Sequence, residues 1–421
     1  MSVWTVRGGN RLDGAVDVQG SKNAVLPIMA ASLLCRGRTR LANCPRLLDV
    51  DASIDILRHL GCAAGRDGEG IVIDCAGADE VHIPHELMLK MRSSVMFMGA
   101  ILARSGEVRI STPGGCELGS RPIDLHLRAL SELGAEIKED GGEVRCRAAR
   151  LRGCHINLDF PSVGATENLM LAACAAEGVT VITNAAREPE IEDLQGYLNA
   201  AGARVSGAGT PCVTVEGLKK MPAPEREVSY RIMPDRIAAA TYLCAAAAAG
   251  GDVLLRGIRP EQISTIISSL RDMGCGIITS QDSVRLRRDG PLKAPRPVIT
   301  KPYPGFPTDA QALLMSACLR AEGTSVFVEN IFENRYRHVD ELRRLGADIR
   351  TEGRVAMVTG VKRLSGAPVT ATDLRGGAAL VIAGLSAQGE TGVYDCGHIL
   401  RGYDGLDTAL RGLGAEIKLE N

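Results

Sequence analysis

The chain has 421 residues, of which 45% are hydrophobic and 24% charged, a composition that excludes disorder and supplies apolar mass for two cores. With 49 Lys and Arg against 50 Asp and Glu, the net charge of −1 gives no global field for an anion, so any anionic ligand must be held by a local basic cluster. Aromatic residues are only 3%, too few for base-stacking platforms, which argues against nucleic acid, and the 13 scattered cysteines read as reduced thiols of a cytoplasmic protein.

The N-terminus, Met1-Ser-Val-Trp-Thr-Val-Arg7, lacks the apolar stretch of a secretory leader. From Lys22 onward one supersecondary unit is written six times. Each copy starts with an apolar, Ala-rich helix closed by glycine at Gly37, Gly106, Gly178, Gly250, Gly323 or Gly389. A β-prone run follows, as in Glu107–Ile110, Val179–Ile182, Val253–Leu255 and Ser325–Val328. Next comes an amphipathic helix ending in Leu-x-x-(Leu/Met/Ala)-Gly-(Ala/Cys), with glycines at 61, 134, 202, 274, 346 and 414, spaced 68 to 73 residues apart. One unit therefore reads strand, buried helix, strand, covering helix, strand. The run Ile237–Ala249 is too short for a membrane span.

The charged, proline-bearing stretch Leu218–Glu225 lies between the third and fourth copies. Three and three copies then give one domain over 21–227 and another from 1–20 with 228–421.

Residues that recur across copies serve packing; residues present in one or two copies are candidates for chemistry. The exceptions stand at the entrances of the buried helices: Lys22-Asn23, Arg92, Ser162-Val163-Gly164, Asp235-Arg236, Asp309 and Arg375. Helix N-termini offer unpaired N–H groups and a positive dipole end, and a cation there opposes the dipole unless an anion is bound. In the second copy the connection Ser111–Asp124 is long and glycine-rich, a segment built to move, and carries Cys116 five residues before Arg121. A thiol near cations becomes a usable proton donor or nucleophile; the other cysteines read as core. Arg335 and Arg401 lie in the corresponding connections of later copies, and Asp309 is the best-placed carboxylate for general-base work. His82 and His85 have no matching ligand set, so no metal is expected, and no phosphate-loop or dinucleotide fingerprint is present.

The segments Gly20–Pro27, Gly114–His126, Pro304–Gln311 and Phe332–Arg335 resemble the enolpyruvyl transferase family, in its branch acting on UDP-N-acetylglucosamine. The resemblance implies an α/β fold of two inside-out α/β barrel domains, each of three repeated units, with the active site in the interdomain cleft. It implies transfer of the enolpyruvyl group of phosphoenolpyruvate to the 3′-hydroxyl of UDP-N-acetylglucosamine, releasing phosphate, an early step of bacterial cell-wall synthesis sensitive to fosfomycin. No cofactor, nucleic acid, membrane or obligate protein partner is implied. Lys22 and Arg121 would hold the phosphate, with Arg401 nearby and Arg335 and Arg375 facing the carboxylate; Asn23 and Asp309 would touch the sugar. Asp309 would take the hydroxyl proton while Cys116 protonates the methylene carbon. The uridine diphosphate would meet Arg92, Arg121, Pro122, Ile123, Asp124 and Leu125, the turn Phe160, Pro161, Ser162 and Val163, and Ile331. Leu400 and Gly376-Gly377 depart from the family's pattern but leave the arginines intact. The alternatives are the sister 3-phosphoshikimate 1-carboxyvinyltransferase, whose pattern has serine after the first lysine and no cysteine loop, and a non-catalytic nucleotide-sugar-binding protein.

Overall fold

The computed structural model describes residues 3–35, 37–68, 70–111, 123–218 and 227–420, with Arg92 placed by its backbone only. Cys116, Arg121 and Pro122 lie outside the described residues. Two compact units emerge: residues 3–19 with 234–420, and the described residues of 20–233. Each has its own hydrophobic core.

Among the described residues there are six sheets, each of four strands, with the same internal order. In the second copy His82–Ile83 pairs in parallel with Glu107–Ser111, and the helix Phe97–Ser105 makes the crossover. A covering helix, Asp124–Glu132, leads to the hairpin Glu136–Asp140 and Glu143–Arg147, whose second strand returns antiparallel to Glu107–Ser111. Five copies thus end in two strands where the sequence reading has one, and in the sixth Glu416–Glu420 pairs instead with Val3–Arg7. The second strand, Glu143–Arg147, alternates buried with exposed positions, a period-2 signal that the sequence reading did not use.

The six repeat glycines have φ between 90° and 100°, a left-handed turn that ends the covering helix and that a side chain would strain. The leucines four residues before them, Leu57, Leu130, Leu198, Leu270, Leu342 and Leu410, are fully buried.

Helices occupy the centre and sheets the outside. In the unit of residues 3–19 and 234–420, the helices Arg236–Ala249, Thr308–Cys318 and Leu374–Ser386 pack on one another. Being apolar on every side, they could be stable only there. In the other unit Phe97–Ser105 lies against both Lys22–Ala31 and Val163–Ala173. One segment corrects the sequence reading: Val228–Arg231 pairs in parallel with Arg38–Ala42, so backbone hydrogen bonds keep residues 228–233 with the unit of 20–233.

Candidate active site

In the unit of residues 20–233 the candidate residues lie at the beginnings of helices. Lys22 opens the helix Lys22–Ala31, and its Nζ meets Asp49 Oδ2 at 2.7 Å; the lysine is 12% exposed and the carboxylate 3%. Asp49 sits in the first turn of Leu48–His59. It escaped the sequence reading because an acid in a helix's first turn has an ordinary explanation. Asn23 follows, half-buried. Arg92 begins the short turn Arg92–Met96. Ser162 caps Val163–Ala173 by accepting a hydrogen bond from Ala165 N at 3.3 Å, and Phe160 beside it is 42% exposed. Ile123 and Leu125 are half-buried and Asp124 exposed where Asp124–Glu132 starts.

In the other unit three of the expected residues converge. Arg335 Nη2 donates to Asp309 Oδ1 at 2.9 Å, and Arg375 Nη2 lies 3.4 Å from Asp309 Oδ2. The two guanidinium side chains are 4% and 3% exposed while Asp309 is 29% exposed, so the carboxylate faces outward from a buried cationic pair. Arg335 Nε and Arg375 Nε and Nη1 find no hydrogen-bond partner among the described residues. Two desolvated cations sharing one carboxylate leave donor capacity for a further anion.

The surrounding shell fixes this geometry. Asp373 caps Leu374–Ser386 through Arg375 N and Gly376 N at 2.9 and 3.0 Å. The Arg375 guanidinium stands 5.3 Å over the Tyr403 ring. Burial opposes its charge, yet Tyr403, Asp309 and Asp235 more than offset this and carry its pKa above the usual arginine value. Glu329, 1% exposed, accepts from Thr300 Oγ1, Thr308 Oγ1 and the N–H groups of Ile331 and Phe332 at 2.8 to 3.1 Å, tying the Ile331 turn to the start of the helix that carries Asp309. His338 is fully buried beside Arg335 and Asp373; burial pushes it down to about 4, so its ring is neutral at pH 7. Arg401 is half-buried at the end of Gly397–Leu400. A Cβ on Gly376 would come within 2.8 Å of Asp373 and one on Gly377 within 2.8 Å of Ile399, so both glycines serve close approach.

Ten of the twelve described cysteines are buried, in keeping with core roles; Cys212 is exposed and Cys154 half-exposed, two exceptions to the sequence reading. Among the described residues no group of three or more His, Cys, Asp or Glu could hold a metal ion, and no helix is long and apolar enough to cross a membrane.

A family model described as EPSP synthase (3-phosphoshikimate 1-carboxyvinyltransferase) matches residues 6–410. UDP-N-acetylglucosamine 1-carboxyvinyltransferase 2 of Caldanaerobacter subterraneus subsp. tengcongensis is 50% identical over 417 residues, covering 99% of both chains. UDP-N-acetylglucosamine 1-carboxyvinyltransferase of Geotalea uraniireducens is 46% identical over 417 residues, again 99% of both. Among solved structures, the enolpyruvyl transferase NikO from Streptomyces tendae superposes with a TM-score of 0.89 at 26% identity, over 100% of this chain and 99% of that one. EPSP synthase from Acinetobacter baumannii, at 18% identity and a TM-score of 0.74 over the full length of both, is alike in fold.

Proposed function

The chain belongs to the enolpyruvyl transferase family, and on that premise we propose that it transfers the enolpyruvyl group of phosphoenolpyruvate to the 3′-hydroxyl of UDP-N-acetylglucosamine. Phosphate is released, and the product feeds peptidoglycan synthesis. The observation that carries this reading is the outward-facing Asp309 held by two buried arginines with spare donors. Full-length relatives at 46% and 50% identity with that name support it over the sister reaction.

Arg335 and Arg375 bind the phosphoenolpyruvate carboxylate through their unused donors. A carboxylate accepts from a guanidinium fork in bidentate fashion. Asp309 then takes the proton of the 3′-hydroxyl, whose oxygen bonds to the central carbon of phosphoenolpyruvate. Cys116 gives its proton to the methylene carbon, which becomes a methyl group. The tetrahedral adduct collapses when the methyl group loses a proton, the carbon–carbon double bond re-forms, and the phosphate leaves with the electrons of its bond to carbon. Lys22, braced by Asp49, holds the phosphate together with Arg121 and Arg401. Fixed charges of this kind stabilise the adduct better than water, which must reorganise. Asn23 and Asp309 contact the sugar; Arg92, residues 121–125 and 160–163, and Ile331 contact the nucleotide. No cofactor takes part, and the cytoplasm is the proposed compartment, in line with the free state of the twelve described cysteines.

The experiment is phosphate release from phosphoenolpyruvate with UDP-N-acetylglucosamine or shikimate 3-phosphate as acceptor. Release with the nucleotide sugar alone is expected. Release with shikimate 3-phosphate would transfer the assignment to the sister reaction, and release with neither would favour a binding protein.

A further inference from the structure

Apart from Ile331, the described residues assigned to the nucleotide stand on three separate stretches of one unit: the turn opening at Arg92, residues 123–125, and residues 160–163. One side chain away from all of them links the three. Asn168, 1% exposed, lies on the helix Val163–Ala173. Its Oδ1 accepts from Gly99 N at 2.7 Å, and its Nδ2 donates to Val95 O at 3.1 Å, within the turn Arg92–Met96. Gly99 is the third residue of its helix, where a backbone N–H has no partner inside the helix, so Asn168 caps a neighbouring helix from outside.

The remaining bond reaches the second stretch. Asn168 Nδ2 lies 2.8 Å from Nδ1 of His126, the residue after Leu125. Because Gly99 N–H can only donate, the amide oxygen must face Gly99 and the amide nitrogen must face His126. Nδ1 is then an acceptor and the ring proton sits on Nε2. Burial, which pushes His126 down to about 4, keeps the ring neutral and so fits this arrangement. The far edge of the ring rests on the third stretch: a Cβ on Gly164, the residue after Val163, would stand 2.9 Å from His126 Cε1. A Cβ on Gly99 would stand 2.3 Å from the backbone carbonyl oxygen of Asn168 and 2.9 Å from its Oδ1. Two glycines thus admit the contacts that the amide and the imidazole complete.

We propose that Asn168, acting through His126 and the Gly99 cap, is a positioning residue that holds the three nucleotide-contacting stretches in register for UDP-N-acetylglucosamine. The inference rests on the proposed function for the identity of the ligand. A polar group serving only the core would weaken the fold without discriminating between substrates; a positioning residue acts on one substrate's binding.

The test compares Asn168→Asp, His126→Ala and His126→Asn in steady-state assays of the full chain. Asn168→Asp keeps the acceptor for Gly99 N–H and loses both donors. His126→Asn returns an acceptor near the Nδ1 position, and His126→Ala does not. Losing hydrogen bonds of ordinary strength predicts a rise of about tenfold or more in KM for UDP-N-acetylglucosamine for Asn168→Asp and His126→Ala. The kcat and the KM for phosphoenolpyruvate should stay within about twofold, and His126→Asn should regain most of the loss. A nucleotide-sugar KM within about twofold of wild type in both variants, or an equal change in both substrates' KM, overturns the proposal. Should Asn168→Asp fail to fold by near-ultraviolet circular dichroism, the His126 pair decides by the same criteria. If wild type releases no phosphate with UDP-N-acetylglucosamine, the proposed function fails, and calorimetric titration with UDP decides the positioning role separately. Weaker binding by about tenfold in His126→Ala, restored in His126→Asn, supports that role. Equal affinity in all forms, or no binding by any, overturns it.

Discussion

Asp309 draws its significance from the company it keeps. A carboxylate in the first turn of a helix has an ordinary capping explanation, but the approach of Arg335 and Arg375 removes it. Replacing Asp309 by Asn keeps the shape and removes the proposed base, so turnover should fall by roughly 100-fold or more with substrate binding near normal, measured by phosphate release. Equal turnover would remove it from the role. Cys116 is tested covalently: fosfomycin should alkylate it, more readily with the nucleotide sugar bound, and an unmodified Cys116 peptide after saturating exposure would refute this. His126 and His338 make a third residue-scale prediction. Both stay neutral in the fold down to about 4, while in the unfolded chain they charge near pH 6.5. The unfolded state therefore binds more protons across that window, and stability falls on acidification from about pH 6.5 towards 4. The His338→Gln variant should lose less stability than wild type between pH 7 and pH 4.5 in urea titrations. An identical loss would contradict the assigned neutrality. Lys22, Arg335 and Arg375 stood out in the sequence as candidates because they break a repeat, whereas the contacts of Asp49 and Glu329 with those candidates and their surroundings did not. Their partners come from other segments, and neither interaction leaves a local pattern.

At the scale of elements, buried helices must have both ends satisfied without water. Three of the six N-terminal ends use Ser162, Asp235 and Asp373 as caps. At the opposite ends arginines bind late carbonyls: Arg104 donates to Leu33 O, Arg288 to Ala248 O and Arg320 to Ser386 O, and Arg104 also donates to Cys75 O and Ala78 O in the loop between Gly70–Asp74 and His82–Ile83. This division of labour follows the helix dipole. Arg104→Met keeps the stem and removes three charge-assisted bonds, so a loss of roughly 2–4 kcal/mol is expected in denaturant unfolding. A change below about 0.5 kcal/mol would reduce Arg104 to a solvated side chain. The repeat glycines, by contrast, were readable from the sequence, because a left-handed turn tolerates few other residues.

At the scale of the whole molecule, the chain leaves one unit near residue 19 and returns near residue 233. The strand Val3–Arg7 is consequently an inner strand of the last sheet, between Glu390–Tyr394 and Glu416–Glu420. It carries Trp4, 1% exposed and the only tryptophan. Trp4→Ala should therefore destabilise by about 3–5 kcal/mol, as large aromatic truncations in cores do. Near wild-type stability in urea unfolding followed by far-ultraviolet circular dichroism would show that the inner strand is dispensable.

The sequence by itself determined the six-fold repeat, the buried and covering helices, and the helix entrances where the repeat is broken. These are local properties, set by hydrophobic period, by glycine's access to left-handed backbone and by the rarity of cations at helix starts. Only the tertiary structure decided that Asp309 lies between two buried arginines, that Asp49 braces Lys22, that residues 228–231 extend the sheet begun by Arg38–Ala42, and that Asn168 reaches three separate stretches. Each joins residues far apart in the chain, and such contacts depend on how packed elements meet, which the periodicity of any one of them does not encode.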